Sequence, residues 1–557
     1  MSLSSLHRSF ALGAFSALGL LLAASPASAA VTLAADAAAA FDTKVFLNGL
    51  ATPTDLTVLP DGRVIITQKG GDIATLAPGA ADPIEDHIDV STNSEQGLLG
   101  IVADPNFATN QYIYVYADNP ASQQDRHQVL RYKFGADSKL GAKTVIVSAM
   151  LGGVGLEGPA NHDGGGLDIY GGNLYMSVGD TGANASPPTN HYGSCLNKGN
   201  GKVLRVSLAE ATLGQPPADN PLVNVAMVTG CDNTGGDFKM VAPDKRIYAW
   251  GFRNPFRLWV DKTNGKVWVG DVGEVTREEI DIVQMGKHHG YPFREGTKDW
   301  MQNYAPQGEC MGMTPASECI GPVYDYDRAG MDSAIIGGRI LDGCDWPAAW
   351  KSRYIFGDYN QNKVWTIDVN ATRDGVMANS RKDFATINRL TGMRMGSDNA
   401  LYLLEEGGTV TRITAKGTMS MPASCNAVNG DPANPGGGTG AGGAAATGGS
   451  AGTPSTAGTP GTAGTPGTAG SSSNPGTGGA PGTAGSGSTS AGTTSATTAG
   501  TTSASTAGTT GSGASSDDSG GCGCQVVGAP AASAIGWGAL IAGLGMTLRR
   551  RRGRRQP

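Results

Sequence analysis

Six times between residues 44 and 416 a turn leads into alternating aliphatic and aromatic residues. The segments are Asp61-Gly62-Arg63-Val64-Ile65-Ile66, Tyr112-Ile113-Tyr114-Val115-Tyr116 and Gly172-Asn173-Leu174-Tyr175-Met176-Ser177-Val178. They recur as Gly265-Lys266-Val267-Trp268-Val269, Arg353-Tyr354-Ile355-Phe356 and Asn399-Ala400-Leu401-Tyr402-Leu403-Leu404. Period-two alternation between turn formers specifies short antiparallel strands. No helical pattern of comparable length competes with it. One strand signature repeated this often points to radial repetition, in which each sheet is covered by the next. A jelly roll or double sandwich does not account for six copies, so the expected fold is an all-β six-bladed β-propeller. Long insertions at about 181–245 and 291–350 make the spacing uneven. Loops of that length are commonly functional, and in a propeller they would form the rim of a pocket over the central channel.

The ends of the chain read differently from this body. Arg8, the apolar run Ala11–Ala24 and Ala27-Ser28-Ala29 have the order of a secretory leader, so residues 1–29 are expected to be a signal peptide. Residues 30–43, rich in Ala, are expected to be a spacer before the propeller at 44–416, and 417–429 a connector. Residues 430–520 consist almost wholly of Gly, Ala, Ser, Thr and Pro. Such side chains bury too little apolar area to offset backbone ordering, which predicts a disordered stalk. Residues 521–557 hold Cys522-Gly523-Cys524, the uncharged run Val526–Leu548 and the cluster Arg549-Arg550-Arg551-Arg552. The run is long enough for a hydrocarbon core that needs about 20 residues. The arginines after it hold that edge in the cytoplasm and leave the rest outside. The expectation is an exported protein at the cell surface, anchored in a membrane of Gram-negative type by a C-terminal transmembrane helix.

Net charge is −7, and the only strongly cationic run is the arginine cluster after the apolar segment, so nucleic acid is not an expected partner. The body holds Cys195, Cys231, Cys310, Cys319, Cys344 and Cys425, with neither a CxxC nor a zinc spacing. In an oxidising compartment these are expected as disulfides. Cys195–Cys231 and Cys310–Cys319 are the pairings that would each clip one long loop.

Three constellations can carry chemistry. In Asn161-His162-Asp163-Gly164-Gly165-Gly166 a histidine lies on a glycine turn just before a strand, placed to offer its ring to a pocket as a base. Asp180, at the end of the next strand in Gly179-Asp180-Thr181-Gly182, is a candidate to fix its tautomer. In Trp250-Gly251-Phe252-Arg253-Asn254-Pro255 a cationic fork beside an amide suits a polar, anionic ligand, or alternatively a hydrogen-bond cluster between blades. In Gly270-Asp271-Val272-Gly273-Glu274, carboxylates and exposed carbonyls offer hard oxygen ligands of the kind calcium takes.

The order of these motifs brings in a family. Gln96-Gly97-Leu98-Leu99-Gly100-Ile101-Val102-Ala103-Asp104-Pro105-Asn106-Phe107 resembles the first signature of the glucose/sorbosone dehydrogenases, propellers that use pyrroloquinoline quinone (PQQ). The three constellations follow in that family's order, then His288-His289-Gly290-Tyr291-Pro292 and Tyr354-Ile355-Phe356-Gly357-Asp358-Tyr359. The tail resembles the C-terminal sorting tags of myxobacterial surface proteins. The resemblance implies a calcium-assisted sugar dehydrogenase that passes electrons to an external acceptor. It makes His162 the base, Asp180 its partner, and Arg253 and Asn254 the contacts to the reactive edge of the quinone. Gly273 and Glu274 become the calcium pair, and Glu95 and Gln96 stand where cofactor contacts sit. Asn360 falls where the family has a lysine for the cofactor carboxylates, and Arg389 and Arg394 are the substitutes for its late arginines. The rival reading is a non-catalytic surface propeller that binds glycans or proteins. A calcium-dependent lactonase is a third.

Overall fold

The computed structural model describes residues 31–122, 125–148, 161–181, 192–231, 238–299, 319–342 and 346–417. These residues form six antiparallel sheets, five of four strands and one of five, accompanied by two short hairpins. Each sheet is one blade. The first strands of the blades are Pro53–Val58, Leu98–Ala103, Leu167–Tyr170, Pro255–Val260, Ile335–Leu341 and Leu390–Met395. Each touches the next, and the last returns to the first, so the inner strands close a ring. The six segments picked out by alternation are the second strands of blades 1 to 6, in order. They stand buried between neighbouring blades, which is why they carry the strongest apolar signal.

The inner strands pack too closely for that signal. A Cβ on Gly100 would come within 2.1 Å of the Gly165 carbonyl, and one on Gly337 within 2.7 Å of the Gly270 and Arg257 backbones. Charged groups fill the axis. Arg394 Nε and Nη2 bond the two carboxylate oxygens of Asp55 at 2.9 and 2.7 Å, and Arg257 donates to the carbonyls of Thr54 and Thr391.

From residue 31 onward the expected spacer 30–43 is part of the folded propeller. Thr32–Leu33 adds a fifth strand to blade 5, Ala35–Ala40 is a short helix, and Phe41–Leu47 is the outer strand of blade 6. Phe41 enters an aromatic cluster with Trp346, Trp350 and Phe384 at centroid distances of 4.6 to 5.7 Å. The Ala-rich composition hid this, because the segment is held by backbone pairing and one buried ring. The N-terminal chain thus closes the propeller by pairing with its last strand, Thr409–Ala415.

Cys195 and Cys319 are both disulfide-bonded. Cys310, Cys344, Cys425 and the side chain of Cys231 lie outside what is described, as do the segments expected as a signal peptide, a stalk and a transmembrane helix. Among the described residues no helix is long and apolar enough to cross a membrane.

Candidate active site

First and second strands run antiparallel, so residues just before a first strand and just after a second strand share one face of the ring. That face collects Glu95, His162, Arg253, Asn254 and Arg389 from the first group and Lys69, Asp180, Gly273 and Glu274 from the second.

His162 sits at φ +60°, a left-handed conformation uncommon outside glycine. Its backbone N–H donates to Glu95 Oε2 at 2.7 Å, and its carbonyl accepts from Thr181 N at 3.3 Å. Gly179 makes room for that carbonyl, since a Cβ there would lie 2.0 Å from it. The ring bonds through Nδ1 to Asp180 Oδ1 at 2.6 Å, and Asp180 is fully buried. With Nδ1–H directed at the carboxylate, Nε2 keeps its lone pair for a ligand. Asp180 N in turn donates to the Arg253 carbonyl at 2.7 Å, tying blade 3 to blade 4.

Asn254 bridges the blades from the other side. Its Oδ1 accepts from Gly164 N at 3.2 Å, and its Nδ2 donates to Glu95 Oε2 at 3.4 Å. The backbone N–H groups of Asn254 and Arg253 both donate to Asp271, at 2.7 and 3.0 Å. The aspartate of the third motif therefore holds the second motif in place. Behind His162 lies a buried cluster of Asp118, His127 and Asp163, where Asp118 Oδ1 lies 2.6 Å from His127 Nδ1. Burial pushes His127 down to about 4 and Asp118 up to about 8.

Other expected residues stand elsewhere. Gln96 is buried and hydrogen-bonded to Ser91 beneath the rim. Arg394 is four residues further along its strand than Leu390, roughly 13 Å below the rim at the usual strand rise, and is engaged with Asp55. It is a residue of the axis and does not join the rim. Asn360, in the turn after the second strand of blade 5, donates its backbone N–H to Asp358 at 3.0 Å. Arg389 does stand at the rim, half-exposed, with Nη1 at 2.9 Å from Tyr359 Oη and 3.2 Å from Glu406 Oε2.

The sequence reading missed four rim residues. Lys69, after the second strand of blade 1, is buried and donates Nζ to the Thr92 carbonyl at 3.2 Å; burial lowers its pKa, opposed by the carboxylates of Asp163, Asp118, Glu95 and Glu406. Tyr291 donates to Glu274 Oε2 at 3.3 Å. Glu295, 2% exposed, accepts four successive backbone N–H groups from Glu274 to Arg277 at 2.6 to 3.1 Å on one oxygen. Arg328 donates to the Gly273 carbonyl at 2.8 Å. Of these only Tyr291 lay within a recognised motif; the others have no local signature.

Tested against this geometry, the two expected cofactors fare differently. A planar quinone carrying three carboxylates needs cations around a cleft, and Arg253, Arg389 and Lys69 supply them from three blades, so the residues fit it. Calcium at Gly273 does not fit. That carbonyl already accepts from Arg253 Nη1 at 2.9 Å and from Arg328 Nη1, so an ion placed on it would face two guanidinium charges.

A family model described as Glucose / Sorbosone dehydrogenase matches residues 50–412. The chain is 24% identical over 395 residues to an aldose sugar dehydrogenase of Escherichia coli, covering 68% of this chain and 94% of that one. It is 30% identical over 326 residues to an uncharacterized protein of Synechocystis, covering 53% of this chain and 72% of the relative. Among solved structures it resembles a glucose dehydrogenase at a TM-score of 0.53 and 22% identity, over 67% of this chain and 99% of that one. That last likeness is one of fold.

Proposed function

Because the chain belongs to the glucose/sorbosone dehydrogenase family, we propose that it oxidises aldoses or related carbohydrate alcohols with PQQ. We place the reaction outside the cytoplasm, on a protein held at the membrane by its C-terminal segment. The observation that carries this reading is the His162–Asp180 pair on the rim, set between Glu95 and the Arg253–Asn254 corner. The aldose sugar dehydrogenase among the relatives supports the substrate class.

His162 Nε2 takes the proton of the substrate hydroxyl, and Asp180 stabilises the imidazolium that results. Glu95 and Gly179 fix the strained His162 backbone, so the ring meets substrate in one orientation. Arg253 and Asn254 orient the bound face from blade 4. Arg389 and Lys69 would meet cofactor carboxylates from blades 6 and 1. When bound, the quinone supplies the acceptor for the hydride that leaves the substrate carbon. An external acceptor would be needed to take the electrons.

The test titrates PQQ into the full chain and follows dye reduction across a panel of aldoses. His162→Ala should lower turnover by about 10²–10⁴-fold, the usual contribution of a general base, with quinone affinity little changed. Asp180→Asn should lower kcat more than it raises KM. A folded chain that binds no quinone, or a His162→Ala variant that keeps its turnover, would sink the reading.

A further inference from the structure

We infer that Arg328 occupies the place on the Gly273 carbonyl where calcium was expected, so this chain holds a guanidinium there and binds no metal at that position. The turn is built for this arrangement. Its N–H groups from Glu274 to Arg277 all point inward at Glu295, forming an anion-binding nest around an internal carboxylate. The Gly273 carbonyl faces the other way, toward Arg253 and Arg328. No other residue serves at Gly273, because a Cβ would lie 1.6 Å from the Arg277 carbonyl.

Arg328 is fixed as firmly as the turn. Its backbone N–H donates to the Thr276 carbonyl at 3.0 Å, and its Nη2 donates to the Ser333 carbonyl at 2.8 Å. Nη1 also lies 3.4 Å from Glu278 Oε1, with the side chain 12% exposed. Arg253 and Arg328 already bring two guanidinium charges to this carbonyl, and a divalent ion would be added to them. Calcium takes six to eight oxygen ligands, and the carbonyl that should supply one is already accepting two N–H donors.

The inference depends on the proposed function only for its catalytic consequence, so its test uses neither quinone nor sugar. Calcium is titrated calorimetrically into the metal-stripped full chain, and melting temperature is followed with calcium and with a chelator. Arg328→Met should bind calcium at least tenfold more tightly than wild type and melt higher with the ion. Adding Glu274→Gln to Arg328→Met should abolish that gain, and Arg328→Lys should behave as wild type. Wild-type binding that Glu274→Gln removes would overturn the proposal, and it needs no Arg328 variant to fold. Calcium affinity unchanged in a folded Arg328→Met would overturn it equally. Failure to bind quinone, by contrast, would count only against the proposed activity.

Discussion

Replacing Glu295 tests how the 273–277 turn is held. One oxygen of Glu295 accepts four backbone N–H groups, and the other accepts Thr276 Oγ1 at 2.8 Å. A hydrogen bond to a charged group contributes about 1.5–3 kcal/mol net. Summing five such bonds would give about 8–15 kcal/mol, as much as the whole stability of an ordinary domain at about 5–15 kcal/mol. The true figure is smaller, since one oxygen serves four donors. Water can also reach part of the turn, where Val275 is 51% exposed. Two well-made charge-assisted bonds, offset by partial rehydration, put Glu295→Ala at about 3–5 kcal/mol. Glu295→Gln keeps the shape and one acceptor oxygen, and should cost only about 1–2 kcal/mol. With a urea slope near 3 kcal/mol per molar, the alanine variant should unfold about 1–1.7 M earlier than wild type, and the glutamine variant less than 1 M earlier. Tryptophan fluorescence across a urea series reads both midpoints. If Glu295→Ala fell within about 0.3 M of wild type, the nest would not be what organises the turn.

Two further outcomes follow from buried charges. Arg394→Met strands the Asp55 carboxylate on the axis and should destabilise by about 3–5 kcal/mol, whereas Arg394→Met with Asp55→Leu should recover most of that loss; a double variant no better than the single would refute the account. Burial raises Glu278 to about 8, only partly opposed by Arg328. A carboxyl held above its unfolded value stabilises most below the unfolded pKa, and that contribution is lost as pH climbs from about 4.5 to about 8. The stability of Glu278→Gln relative to wild type should therefore rise with pH across that window, and a flat difference in paired urea curves would refute the shift.

The sequence read the propeller through its second strands because only they combine burial between blades with regular alternation. Inner strands were silent, since Gly100, Gly337 and Gly392 replace apolar residues where backbones crowd. Outer strands were silent for the opposite reason: Ile84–His87 and most of Leu140–Val147 face solvent. Within the site, His162, Asp180, Arg253 and Asn254 were legible because each lies in a short motif beside a strand end, where glycines mark the turn. Glu295 reaches the turn from the segment after the third strand of blade 4, Arg328 from just after the fourth, and Lys69 stands on blade 1. No spacing rule links such residues, so only the folded ring reveals them. Arg394 misled because a strand arginine near the rim in sequence can still lie several residues down the axis.

Ring closure by the N-terminal strand also bears on mechanical load. Thr409–Ala415 is an interior strand, bonded on one side to Leu401–Glu405 and on the other to Phe41–Leu47. A pull along this strand from the chain beyond residue 417 is met by two ladders in shear, whereas an edge strand would have one. Phe41, opposite Ala415 at the end where such a force arrives, is anchored in turn by Trp346, Trp350 and Phe384. Phe41–Leu47 thus acts as the clamp on Thr409–Ala415, and removing residues 31–47 would turn a sheared joint into one that peels.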